Sequence, residues 1–337
     1  MERKYLDNLI KWKNSKNRKP LLVFGARQVG KTYLIEKLFA EKFYKNNYLR
    51  LDCSNEPEFV EYVTKNSNLE KIIEYIQIKF NFQLEENKLL IIDEAQECLP
   101  IIQLMKQFCE KRRDIPLIVT GSLVRIRIRR NAHKRGAFAD KSFLFPVGKI
   151  NRLNIYPLTF DEFLLNYSKN TYDYVKKCYE NKKEIDSITH NLLMEIFHEY
   201  LFVGGMPEVV DTYLKSKDNK LNAYTNSLSI IKDIYSDYLS DMELYQASDE
   251  SILRSRMIFN NIYTQLNKEN KNFKTTIINK KFKNRDLFTP IEWLLTANIV
   301  YKSTQLKEHI TSPLISPSES LYSYICRIWD YSHIKVV

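Results

Sequence analysis

The stretch LLVFGARQVGKT, from Leu21 to Thr32, constrains the fold more than any other part of the chain. Four apolar residues run without a break into Gly25, and a second glycine, Gly30, precedes Lys31 and Thr32. An unbroken apolar run of this kind belongs to a strand buried on both faces, as in a parallel sheet covered by helices. The spacing G-x-x-x-x-G-K-[ST], set between such a strand and a helix, is the pattern of a loop that wraps phosphate. Glycines suit it because the backbone must come close to an anion with its N–H groups turned inward. The helix predicted over 31–41, with Leu34, Ile35, Leu38 and Phe39, turns its positive end to the same anion. A chance match in a surface turn is the plainer alternative, and the flanking strand and helix argue against it.

The same texture repeats downstream. YLRLD (48–52), KLLIIDE (88–94), PLIVTGS (116–122) and RLNIYP (152–157) read as further strands, with helices over 2–13 and 68–80 between or before them. Asn55 with Glu58 predicts a capping box that opens another helix. Short apolar strands alternating with helices give an α/β fold with a parallel sheet flanked by helices. After residue 157 the pattern turns mostly helical, with Thr159 and Glu162 as a capping box and helices near 185–201, 207–215, 221–240 and 250–266. Thr289-Pro290-Ile291-Glu292 predicts one more helix start, and Gly204-Gly205-Met206-Pro207 the end of one helix and the beginning of the next. The lysine-rich stretch 267–285 reads as a linker or an exposed hairpin. The predicted division is 1–157, 158–322 and a tail 323–337.

Chemistry concentrates where the first strands end. The residues predicted to surround a triphosphate are Gly25, Ala26, Arg27, Gln28, Val29, Gly30, Lys31, Thr32 and Tyr33, with Lys31 bridging the β- and γ-phosphates and Thr32 holding Mg²⁺. Asp93, closing an apolar run, is the second expected Mg²⁺ residue, and Glu94 is placed to orient or deprotonate an attacking water. A solvated pair of strand-end acids is the alternative for these two. Thr120, in the TGS that ends the next run, reads either as a hydroxyl that senses the γ-phosphate or as an ordinary strand-to-loop turn.

The 337 residues suffice for two domains and a sizeable core. No apolar run approaches the roughly 20 residues of a membrane span, and the first residues lack a secretory pattern. The five cysteines form no C-x-x-C pair, so neither a disulfide framework nor a zinc site is indicated and a cytoplasmic setting is expected. A net charge of +11 favours polyanions. The stretch from Ile115 to Ala139 has no acidic residue and carries Arg125, Arg127, Arg129, Arg130, Lys134 and Arg135. It reads as a surface for DNA, as a reach toward a neighbouring copy's nucleotide, or as a solvated loop.

With GARQVGKT (25–32), IIDEAQ (91–96), VTGS (119–122), YPLTFDEFL (156–164) and VGGMPEVV (203–210) in this order, the chain resembles the prokaryotic AAA-type P-loop ATPases that pair an AAA core with a C-terminal domain of unknown function. The resemblance implies Mg-ATP binding and hydrolysis, a helical second region with a winged-helix-like portion, and the roles given above for Lys31, Thr32, Asp93 and Glu94. An ATPase that drives a conformational change in a partner is the leading expectation, and a nucleotide-gated DNA- or protein-binding module with little hydrolysis the alternative. Assembly into a homo-oligomer is also possible within the resemblance. Relatives carry an arginine where this chain has Lys149, and lysine offers a point charge in place of a bidentate fork. Relatives also continue through a K-L-Y-L-x-D-x-G-L segment where this chain reads YSYICRIWDYSHIK from Tyr322. One codon path for that stretch, with a single A restored after the first TAT, translates as Y-K-L-Y-L-S-D-M-G-L-F-T-Y-Q. A one-base deletion near Tyr322 is therefore expected, leaving Cys326 and Trp329 without functional meaning.

Overall fold

The computed structural model describes residues 1–122, 145–246, 248–268, 273–306 and 317–326. The chain divides into two compact units, Glu2–Tyr156 and the residues from Pro157 on.

The first unit opens with helix α1 (Tyr5–Lys13), followed by strand β1 (Leu21–Phe24). Helix α2 comes next, with a π-wound stretch Tyr33–Ala40 and a last turn Glu41–Phe43. There follow β2 (Tyr48–Asp52), α3 (Pro57–Lys65), α4 (Leu69–Lys79), β3 (Leu89–Asp93), α5 (Pro100–Lys111), β4 (Leu117–Thr120) and β5 (Asn151–Asn154). The five strands form one sheet in the order β2-β3-β4-β1-β5, and every pairing is parallel. The expected parallel sheet flanked by helices is the fold observed. Leu22 and Phe24 pack with Leu90, Ile92 and Val119 against Phe59, Ile72, Ile76, Ile102 and Phe108 of the helices. Leu21 and Val23, which strand alternation turns to the opposite face, are equally buried. Each such side chain contributes about 1.5–3 kcal/mol on leaving water, which is why the runs tolerate no polar residue.

The helix expected after the glycine loop forms, with a π-wound stretch in which the Glu41 N–H reaches Glu36 O, five residues back. One local expectation in this unit is corrected. The capping box expected at Asn55 is absent, because α3 starts at Pro57 with Glu56 before it and no side-chain cap. Asn55 instead donates to Asp52 Oδ2 at 3.3 Å, and Ser54 N to Asp52 Oδ1 at 3.0 Å, so the turn that leaves β2 claims these residues first.

The second unit is mostly helical: α6 (Phe160–Tyr167), α7 (Lys169–Glu180), α8 (Ser187–Val203), α9 (Pro207–Ser216), α10 (Lys220–Tyr245), α11 (Asp249–Leu266), the short α12 (Thr275–Ile278) and α13 (Asn284–Thr296). An antiparallel ribbon of β6 (Val300–Leu306) and β7 (Pro317–Cys326) follows. Thr159 and Glu162 form the expected capping box. Gly204, at φ +74°, ends α8, and Pro207 lies in the first turn of α9, as the sequence predicts. Gly205 has a separate reason: its carbonyl accepts from Leu158 N at 2.6 Å, and a Cβ there would lie 2.3 Å from Leu158 O.

The start of α13 falls at Asn284, not at Thr289, so Pro290 sits inside the helix. Proline there leaves the carbonyl four residues back without its helical donor. Arg254 Nη1 fills the gap, donating to Asp286 O at 2.9 Å. No hairpin forms in the described part of 267–285, which holds α12 instead. Among the described residues no helix is long and apolar enough to cross a membrane.

Substituting Gly205→Ala should lower the unfolding free energy by about 1–3 kcal/mol, since the added methyl meets backbone that cannot yield as a flexible side chain would. Chemical denaturation against the parent chain checks this.

Candidate active site at the carboxyl edge of the sheet

Because all five strands run the same way, their carboxyl ends share one edge, where open α/β sheets place ligands. β1 ends there into Gly25, β3 ends in Asp93 and β4 in Thr120. The register pairs Val23 with Thr120 and Ile92 with Val119, so Thr120 stands level with Asp93 on the strand between β1 and β3. With strands about 4.8 Å apart, the loop after β1 must fold back across β4 to approach β3.

The sequence makes that loop fold in one way. A Cβ on Gly25 would lie 2.7 Å from Ile155 O and 2.9 Å from Val29 Cγ2, so only glycine fits between β1 and the end of β5. Gly30 takes φ +81° and Gln28 φ +62°, left-handed conformations that turn the chain into α2. Val29 is fully buried and acts as the loop's anchor. Arg3, itself buried, donates through Nη1 to Val29 O at 3.1 Å and through Nη2 to Tyr156 O at 2.6 Å. Arg27 and Tyr33 lie on the exposed side of the loop, and Ala26 is buried.

Lys31 curls into its own loop, where Nζ donates to Ala26 O at 2.7 Å and Gly25 O at 3.2 Å. It is 7% exposed. Burial draws its ammonium down to about pKa 8, against the pull of Glu94 and Asp93 and with a small push from Arg27.

Asp93 is the junction of the site. Thr32 Oγ1 donates to its Oδ2 at 3.0 Å, across a sequence separation of 61. Arg50, from the middle of β2, donates to the same oxygen through Nη2 at 2.8 Å and Nε at 3.1 Å. The other oxygen, Oδ1, accepts from Glu94 N at 2.9 Å. Glu94 itself has the left-handed dihedrals φ 49°, ψ 42°, a costly conformation for a glutamate and one frequent at functional sites. Its Oε2 accepts from the Gln96 side-chain amide. Thr120 is fully buried, and its Oγ1 has no hydrogen-bond partner among the described residues.

The predicted residues thus converge. The loop from Gly25 to Tyr33, Asp93, Glu94 and Thr120 gather at one edge, and Thr32 meets Asp93 directly. Lys149 is elsewhere engaged, in an exposed ion pair with Glu110 at 3.0 Å. Arg125, Arg127, Arg129, Arg130, Lys134 and Arg135 lie outside the described residues. Two participants escaped the sequence reading. Arg3 had no local signal at all, whereas Arg50 had one: a cation inside the apolar pattern YLRLD.

The donor set suits a hard divalent cation that shares a triphosphate. Thr32 offers a hydroxyl and Asp93 a carboxylate, both oxygen donors, and Mg²⁺ is held by one or two carboxylates together with substrate phosphates. Among the described residues no cluster of three or more His, Cys, Asp or Glu side chains is arranged to hold a metal alone. The orphaned Thr120 hydroxyl is a further polar group at the same edge that awaits a partner.

Residues 17–164 match the family model described as AAA domain, and residues 194–317 match a domain of unknown function (DUF8612). No curated protein matches the chain. Among solved structures, the Walker-type ATPase of Pyrococcus abyssi is similar over 98% of this chain and 94% of its own, with a TM-score of 0.57 at 15% identity. AMPPCP-bound DnaA from Aquifex aeolicus aligns over 88% of this chain and 90% of its own, with a TM-score of 0.36 at 10% identity. The Pyrococcus likeness speaks for the fold alone: a parallel P-loop-type sheet flanked by helices, followed by a helical region.

Removing the orphaned hydroxyl by Thr120→Val should leave the ligand-free first unit equally stable or up to about 1 kcal/mol more stable, because no hydrogen bond is lost. Denaturant unfolding measures this, and a loss above about 2 kcal/mol would reveal a bonded hydroxyl.

Proposed function

We propose that this chain binds ATP with Mg²⁺ on the loop Gly25–Thr32 and hydrolyses its γ-phosphate. The observation that carries the reading is the Thr32–Asp93 hydrogen bond, which joins the phosphate-type loop to the strand-end acid. The loop contributes inward N–H groups and the positive end of α2, both favourable to a polyanion. Lys31 exchanges two loop carbonyls for the β- and γ-phosphate oxygens, a charge-assisted contact that replaces neutral ones. Thr32 and Asp93 would hold the cation, which supplies charge neutralisation at those oxygens. Glu94 orients the attacking water and takes its proton, a role suited to a carboxylate at the strand end. Thr120, level with Asp93 and without a hydrogen-bond partner among the described residues, offers its hydroxyl to that water or a γ-phosphate oxygen. Positioning and charge, not covalent chemistry, drive such a reaction.

One observation favours the slower variant, a nucleotide-gated binding module. The Gln96 amide donates to Glu94 Oε2 and holds that side chain in place, so a partner that moves Gln96 also moves the base. In that variant turnover depends on a partner, and DNA, another protein or further copies of this chain are the candidates. Phosphate release under Mg-ATP, with and without duplex DNA, separates this variant from steady hydrolysis.

In the proposed mechanism Lys31→Ala weakens ATP binding by about 100-fold or more, read by titration with a fluorescent ATP analogue. Glu94→Gln keeps that binding and lowers phosphate release by about 100-fold or more. Equal turnover by Glu94→Gln would remove Glu94 from the chemistry.

A further inference from the structure

Arg50 does something the proposed hydrolysis does not require: it sits on the carboxylate that the cation needs. Its Nη2 and Nε both reach Asp93 Oδ2, at 2.8 and 3.1 Å, and Thr32 Oγ1 takes a third position on that same oxygen. The Asp93 side chain is 2% exposed and that of Arg50 28%, so a buried carboxylate is paired with a partly exposed guanidinium. A divalent cation that approaches Asp93 with its hydration shell meets a resident guanidinium first.

Arg50 also has somewhere to go. Its Nη2 lies 3.1 Å from Asp52 Oδ2, on the strand residue in register with Asp93. Its Nε lies 4.0 Å from Glu36 Oε2, on the helix that leaves the phosphate loop. Beyond these, a surface depression lined by Glu36, Glu41, Lys45, Asn46, Tyr48 and Arg50 opens to solvent. The guanidinium is thus shared between the buried Asp93 carboxylate and two others, Asp52, which it already contacts, and Glu36. A modest rotation of its long side chain exchanges one set for the other without leaving a buried charge unpaired.

We infer that Arg50 is a resident counter-ion of the metal site: it neutralises Asp93 when no cation is bound and must move to Glu36 and Asp52 when Mg²⁺ loads. This rests on the Mg-ATP reading above. The consequence is a metal affinity set by exchange of one cation for another. The protein thereby avoids an uncompensated buried carboxylate when empty, and its response to Mg²⁺ is less tight than the donor set alone would give. Arg50 acts through Asp93 and is a positioning residue.

The test uses the full chain, with Mn²⁺ as a spectroscopic substitute for Mg²⁺, in the presence of a saturating non-hydrolysable ATP analogue. Electron paramagnetic resonance reads free against bound Mn²⁺, and thermal melting reports that each variant is folded. Arg50→Gln should tighten Mn²⁺ binding by about tenfold, since the incoming cation no longer has to displace a resident charge from Asp93. Arg50→Lys, which keeps the charge, should stay closer to the parent chain. A folded Arg50→Gln variant whose Mn²⁺ affinity is unchanged or weaker overturns the inference. Should that variant fail to fold, the parent chain decides: its Arg50 Nε–H resonance, held by Asp93 before loading, should shift on addition of Mg²⁺ with the analogue. A resonance that stays put contradicts the exchange. Failure of the analogue to bind the parent chain at all would instead overturn the Mg-ATP reading, and this inference with it.

Discussion

Asp93 Oδ2 is shared by Thr32 Oγ1 and by two nitrogens of Arg50, while Asp93 Oδ1 holds Glu94 N. One carboxylate, almost wholly out of water, therefore ties together the glycine loop Gly25–Thr32, the edge strand β2 and the backbone of the adjoining acid. A buried charge of this kind costs several kcal/mol unless its partners are present, so each of these contacts constrains the others. The order β2-β3-β4-β1-β5 makes the arrangement possible, because it sets Arg50 of β2 beside β3 and lets the loop after β1 reach Asp93 across β4.

The loop and the acid share a second property: both cationic groups are satisfied internally. Lys31 rests on Gly25 O and Ala26 O, and Arg50 rests on Asp93. A ligand does not fall onto bare charges but exchanges partners with them. Burial has already brought Lys31 down to about pKa 8, so an anion that restores its charge preference gains more than it would at an exposed lysine. Gly25, pressed against Ile155 O, and Arg3, clamped on Val29 O, keep the loop from collapsing while these exchanges occur.

Much of this was legible in the sequence wherever a single element carried its own signature. LLVF, LLIID and LIVT read as buried strands because their apolar runs are unbroken, and Gly25, Gly30, Lys31, Thr32, Asp93, Glu94 and Thr120 followed from their places at strand ends. What the pattern could not supply were contacts between distant segments. Arg3 meets Val29 and Tyr156 only because the sheet closes there, and nothing near Arg3 announces it. Arg50 is a charge within a strand, a signal that went unread, and its partner depends on the β2–β3 register that pairs Asp52 with Asp93. Local rules also lost where tertiary contacts overrode them: Pro290 lies inside α13 because Arg254 takes up the carbonyl that proline strands, and Asn55 serves the turn after β2 in place of a helix cap.

The most direct test of the central claim is a crystal structure of the full chain with Mg²⁺ and a non-hydrolysable ATP analogue. The account predicts β- and γ-phosphates enclosed by the N–H groups of Gly25–Thr32, with Lys31 Nζ drawn off its loop carbonyls and the cation between Thr32 and Asp93. A nucleotide bound elsewhere, or a Lys31 still seated on Gly25 O and Ala26 O beneath a bound triphosphate, would contradict it.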